Sequence, residues 1–145
     1  MLTDGTLYYT STGEELKAFY TQDGSALKRL AACGVEIAII SGRTSAMVQR
    51  RAAELGIRHL YEGYENKLPA LHDLASKTGI DPNRTAHVGD DIPDIELFRE
   101  VRLGLSVADA HPLVRAAADL VASLPGGKGA VRELAELIMD ARTRP

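Results

Sequence analysis

Cysteine occurs once in these 145 residues, as Cys33, so no internal disulfide can form. Cys33 precedes Gly34 at an expected helix end, and buried packing is its expected role. No apolar stretch is long enough to span a bilayer, and the start of the chain has no signal-peptide core. Basic charge is not in excess either: the formal net charge is −3 and the pI is near 5.8. Bulk electrostatics therefore gives no support to a nucleic acid or an anionic membrane as partner. These absences fit a reducing cytoplasm. What is present is ordinary for a globular protein, 45% hydrophobic and 26% charged. The length suits one domain over residues 1–145, large enough for a proper core.

Taken in order, residues 1–23 read as a β-hairpin, spanning about residues 6–21. Leu7, Tyr8 and Tyr9 favour strand, Ser11-Thr12-Gly13 is turn chemistry, and Glu15 to Thr21 can return. A two-stranded hairpin is marginal alone, so its tyrosines and phenylalanine should pack on the body or on another subunit. A regular alternation follows. Helices are expected over Gly24–Ala32 (Leu27, Leu30 and Ala31 inward), Thr44–Leu55, Asn66–Thr78, Pro93–Arg99, Ala110–Ala118 and Val131–Ala141. Strands are expected over Val35–Ile40, Ile57–Tyr61, Ala86–Val88, Leu103–Val107 and Leu120–Ala122, the first apolar enough to be buried on both faces. This alternation predicts an α/β fold, a Rossmann-like parallel sheet flanked by helices.

Such sheets collect ligands at the carboxyl ends of their strands. There the sequence carries Ser41 after one strand, Asp90, Asp91 and Asp94 after another, and Lys67 at a helix start. Three carboxylates in five residues repel unless a cation offsets them, and Mg²⁺ prefers such hard oxygen ligands together with phosphate oxygens. Ser41 and neighbouring amides can donate to phosphate. Each residue also has a plainer use: Ser41 as an early helix cap, Lys67 as a solvated charge, the aspartates as caps at a helix N-terminus. Their convergence on one sheet edge favours an active site.

The order S-G-R, N-K-L, G-D-D-x-x-D resembles motifs II, III and IV of the haloacid dehalogenase superfamily. Within it, D-G-T-L-Y-Y-T-S-T-G-E-E-L-K-A-F-Y-T-Q-D-G, A-I-I-S-G-R, H-L-Y-E-G, V-G-D-D-I-P-D, S-V-A-D-A-H-P and G-G-K-G-A-V-R-E are similar to the 3-deoxy-D-manno-octulosonate 8-phosphate phosphatase family over essentially the whole chain. That resemblance implies a fold without a large cap and a Mg²⁺-dependent phosphatase acting on a sugar-acid phosphate. A sialic-acid-type 9-phosphate is the related substrate. It implies Ser41 binding the transferring phosphate, Lys67 stabilising it, Asp90 and Asp91 serving the metal, and Asp94 supporting the metal shell or Lys67. Gly42 and Arg43 would meet substrate, with a structural salt bridge the competing use of Arg43. It implies a homotetramer with the hairpins at its core, and a neighbour's Gly126–Gly129 segment bringing Lys128 to the site. A mobile surface loop is the competing reading of that segment.

One departure from the family matters. Its members carry a strand ending D-x-D-G ahead of L-T-D-G, with the first aspartate attacking phosphorus. This sequence opens M-L-T-D-G, and the spacing from Asp4 to Gly13-Glu14-Glu15 matches the later T-D-G. Placing the motif at Asp4 would put Leu2 in the nucleophile position, where it cannot react. The expectation is that Met1 is internal to a longer, active protein. The alternative is a non-catalytic oligomerisation or sugar-phosphate-binding module.

Overall fold

The strands are short, and helices make up most of the regular structure. A computed structural model describes residues 1–143. In chain order these are β1 (Tyr8–Tyr9), β2 (Glu15–Leu16), α1 (Thr21–Ala32), β3 (Ala38–Ile40), α2 (Ala46–Leu55), β4 (His59–Tyr61), α3 (Leu68–Thr78), β5 (Ala86–Gly89), α4 (Asp94–Glu100), β6 (Leu103–Ser106), α5 (Pro112–Ala117), β7 (Leu120–Val121) and α6 (Ala130–Thr143). The alternating pattern expected of the sequence is there, and the parallel strands are flanked by helices.

β1 and β2 form the antiparallel hairpin, with Tyr8 opposite Leu16. Its returning strand ends at Leu16 rather than Thr21, because α1 begins three residues before Gly24 and takes Thr21 into its first turn. Gly24 lies inside that helix, where an added Cβ would stand 2.9 Å from Leu55 and crowd Arg51. The inward face of α1 runs through Asp23, Ala26 and Leu30, while Ala31 faces solvent, contrary to expectation. Cys33 is also exposed rather than packed, since it ends the helix just ahead of the left-handed Gly34.

The parallel strands divide into two groups. β3 pairs with β4, while β5, β6 and β7 form a second sheet. Among the described residues no strand joins β3 to β5, so each offers one unpaired edge. Residues Ala38–Ile40 are accordingly half-buried, not enclosed on both faces as their apolar run predicts. A strand with one neighbour leaves its other flank open whatever its side chains prefer.

Three apolar clusters hold the layers together. Phe98, Leu105, Val107, Val114 and Leu134 join β6 to α4, α5 and α6. Ala26 and Leu30 of α1 meet Ala135 and Met139 of α6. Leu71, Leu97 and Val101 pack with Ile40 and Leu68, so the residues just before Ser41 and just after Lys67 share a core with α4. No helix of the described residues is long and apolar enough to cross a membrane.

Candidate active site

The carboxyl end of β5 is shaped by a close approach. Gly89 ends the strand, and a Cβ there would collide with the Cβ of Asp94 and lie 2.8 Å from its Cγ. Glycine is needed for space here, because Asp94 folds back over the turn. Its Oδ2 accepts from the amides of Asp90 at 3.0 Å and Asp91 at 3.2 Å. Its Oδ1 accepts from Lys67 Nζ at 2.5 Å and His87 Nε2 at 2.9 Å. Asp94 is only 1% exposed, so every lone pair it directs into the protein has a donor. Burial alone would push its carboxyl up, but the His87 hydrogen bond and the Lys67 charge outweigh that and hold it well below the usual carboxylate range. Because the partner is an ionised carboxylate, His87 Nε2 carries the proton of that bond.

Asp94 thus ties Lys67, from the start of α3, to the backbone of Asp90 at the end of β5. Asn66 fixes the same helix start, its Oδ1 accepting from the Leu68 amide at 3.1 Å. The carboxylates of Asp90 and Asp91 are not drawn into this network. Asp90 Oδ2 lies 3.1 Å from the ammonium of Met1, and Asp91 Oδ1 accepts from the Ile92 amide at 2.8 Å.

Ser41 follows β3 at the matching carboxyl end, and its amide donates to Tyr61 O at 2.8 Å, extending the pairing with β4 by one bond. Its hydroxyl bridges the Ser41-Gly42-Arg43 turn, donating to Arg43 O at 2.9 Å and accepting from the Arg43 amide at 3.1 Å. Ser45, not Ser41, precedes α2. The Ser45 amide is held by Glu62 Oε1 at 2.9 Å, which also fixes the far end of the S-G-R loop. Gly42 and Arg43 are exposed. The Arg43 guanidinium reaches the Tyr9 hydroxyl at 3.4 Å and makes no salt bridge among the described residues.

Lys128 lies in the loop before α6, exposed and without an ion pair among the described residues. The adjoining Gly127 donates to Met1 O at 2.7 Å, and an added Cβ at Gly127 would stand 2.6 Å from the amide of Asp4. The loop thus lies against the chain's own residues 1–4, which in turn reach Asp90. The positive charge of Lys128 acts on Asp4, whose carboxyl is lowered first by hydrogen bonds from Thr6 and to a smaller degree by Lys128.

His87 was not singled out from sequence, although a histidine two residues before the Gly89 that ends an otherwise apolar strand was a signal. Tyr9 likewise carried only its exposure. The donor set is hard oxygen, as Mg²⁺ requires. Among the described residues, however, no three His, Cys, Asp or Glu side chains gather closely enough to hold a metal by themselves. Mg²⁺ is commonly held by one or two carboxylates together with phosphate oxygens and water.

The family model for haloacid dehalogenase-like hydrolases matches residues 59–131, and the chain belongs to that class. The 3-deoxy-D-manno-octulosonate 8-phosphate phosphatase of Escherichia coli strain K12 is 46% identical over 142 residues, which are 98% of this chain and 76% of that one. More narrowly, then, the chain belongs to the 3-deoxy-D-manno-octulosonate 8-phosphate phosphatase family. The Moraxella catarrhalis enzyme of that name, solved in complex with magnesium, phosphate and a KDO molecule, superimposes with TM-score 0.94. It is 48% identical, over 97% of this chain and 81% of that one. The cobalt-bound Haemophilus influenzae enzyme gives TM-score 0.93 at 40% identity, covering 97% and 82%.

Proposed function

We propose that this chain supplies the phosphate-, metal- and substrate-holding residues of a Mg²⁺-dependent phosphomonoesterase acting on 3-deoxy-D-manno-octulosonate 8-phosphate. A sialic-acid-type 9-phosphate is the runner-up substrate. The single observation that carries the reading is the buried Asp94 carboxylate, which binds Lys67 and the Asp90 turn together at the strand ends. A lysine so neutralised at one side keeps two further N–H donors for phosphate oxygens. The Gly42 amide, together with a Ser41 hydroxyl turned away from Arg43 O, would give a second, neutral donor group across the gap between β3 and β5. Asp90, with Asp91 beside it, would hold Mg²⁺, which when bound offsets phosphate charge and polarises the phosphoryl group. Asp94 acts on Lys67 and the turn, and is a positioning residue.

The family's covalent step forms a bond from an aspartate oxygen to phosphorus, breaks the phosphorus–alkoxide bond, and gives the leaving oxygen a proton. No D-x-D-G occurs in these 145 residues, so this chain's own part is to bind and orient. Arg43 would meet the sugar-acid carboxylate from its own loop, and Lys128 from a neighbouring subunit's Gly126–Gly129 segment. Residues 1–145 are read as one domain. The exposed Tyr8, Tyr9 and Leu16 support a homotetramer cored by the hairpins, working in the cytoplasm.

The test is phosphate release from 3-deoxy-D-manno-octulosonate 8-phosphate with Mg²⁺. It would use the chain as given and a form carrying the D-x-D-G strand of the Escherichia coli relative at its start. Turnover is expected from the extended form, and loss of it on Asp90→Asn. Silence from both forms would defeat the reading in favour of a binding module.

A further inference from the structure

Asp23 is a carboxylate the site does not use, and it sits in an unusual place. It lies in the first turn of α1 and is only 1% exposed. No lysine, arginine or histidine pairs with it among the described residues; the nearby Arg132 guanidinium goes instead to Gln22 and Glu136. A buried charge without a counter-charge is expensive unless donors surround it. Here the donors come from another helix. Oδ1 accepts from the Arg132 amide at 3.0 Å and Oδ2 from the Gly129 amide at 3.4 Å. α6 needs that help, because Gly129, just before its first residue, has no side chain with which to cap it. Gly129 also stands at φ +107°, a backbone shape that a serine or aspartate would rarely adopt. Asp23 is therefore the N-cap of α6, delivered from α1, and the helix dipole favours its negative charge.

The same bond fixes one end of the loop that carries Lys128. The other end is fixed by a second carboxylate, Asp109, whose Oδ1 accepts from the Gly126 amide at 2.8 Å. Between them the Gly127 amide donates to Met1 O, and the Lys128 amide to Pro125 O at 3.2 Å. All four amides from Gly126 to Gly129 thus have a named acceptor, and the loop is held rather than free. These four bonds account for where each donor of the segment goes.

We propose that Asp23 is a positioning residue: by capping α6 across the α1–α6 interface it sets, with Asp109, the loop that holds Lys128 beside residues 1–4. Its effect on substrate rests on the reading that Lys128 meets the sugar acid. The loop geometry itself does not depend on that reading.

The conservative variant Asp23→Asn keeps volume and one acceptor oxygen but gives up the charge and the second amide bond. Two measurements on the full chain test it. In amide hydrogen exchange, Asp23→Asn should speed exchange at Gly126 to Gly129 and Arg132 about tenfold, the scale of a lost cap. The amides of Leu134 to Met139 should keep their protection. Faster exchange confined to Arg132, or spread through all of α6, overturns the proposal.

In titration calorimetry with Mg²⁺ present, Asp23→Asn should weaken 3-deoxy-D-manno-octulosonate 8-phosphate about as much as Lys128→Ala does. The double variant should be no weaker than either single one, and orthophosphate affinity should be unchanged. Additive losses, or equal weakening of both ligands, would mean that Asp23 matters only to general stability. If Lys128→Ala leaves sugar-phosphate affinity intact while the loop still loosens, the substrate reading falls and the clamp stands.

Discussion

Lys67 Nζ and His87 Nε2 both donate to one oxygen of Asp94, at 2.5 Å and 2.9 Å, so a single buried atom joins α3 to β5. Its other oxygen is committed to the amides of Asp90 and Asp91. Asp94→Asn should therefore loosen two elements at once and leave the Lys67 charge buried without its partner. Breaking a buried pair from one side costs about 3–5 kcal/mol. Urea denaturation should show a loss of that order, with the slope unchanged.

The pH dependence follows from the same carboxylate. Its folded-state pKa is depressed, so its contribution to stability is full above the unfolded value of about 3.9 and is lost as pH falls toward the folded one. Between pH 7 and about pH 5 Asp94 should add no slope to stability. Below about pH 4 stability should drop, and Asp94→Asn should remove that portion of the drop. Denaturation midpoints measured in both proteins across the acid range check this; parallel curves would exclude Asp94 as the source.

Gly89→Ala should be costly for a reason of space. The new methyl would press on Asp94 and approach the Phe98 ring edge at 3.0 Å. Overpacking of this kind costs about 1–3 kcal/mol, and relief requires moving the side chain that holds Lys67. The expected result is a lower melting temperature together with weakened Mg²⁺ and phosphate binding. Unchanged binding in a destabilised protein would show that the turn can yield without disturbing Asp90.

The hairpin offers a separable test. Tyr9 is 62% exposed and Leu16 58%, and among the described residues only Arg43 reaches the Tyr9 hydroxyl. Tyr8→Ser combined with Leu16→Asp should abolish tetramers in analytical ultracentrifugation while the Lys67–Asp94 network persists. A monomeric parent chain would remove the hairpin's proposed role.

The layout of helices and strands was legible because its signals are local. Gly56 and Gly79, both left-handed, end α2 and α3 where the apolar period runs out. Lys67 and Asp90 could be expected near each other because α/β topology places strand ends and helix starts on one edge, and Asp94 joins them. What sequence did not reveal was pairing at a distance. Nothing in T-Q-D-G indicates that Asp23 would cap a helix more than a hundred residues later, nor that His87 would turn toward Asp94. Periodicity also overstated the enclosure of β3, since an apolar run records what a strand tolerates and not how many neighbours it has. Cys33 and Ala31 were misjudged for a related reason: small side chains near a helix end fit either environment.

Among the described residues, β3 and β5 each present on one edge a row of amides and carbonyls with no strand alongside. Such rows are templates for any extended segment of a few residues, including one from another molecule. Residues 1–145 alone should therefore be adhesive in a directional way, with self-association growing with concentration and relieved by a short peptide that occupies the slot. Handling conditions, and not only chemistry, will depend on whether that seam is filled.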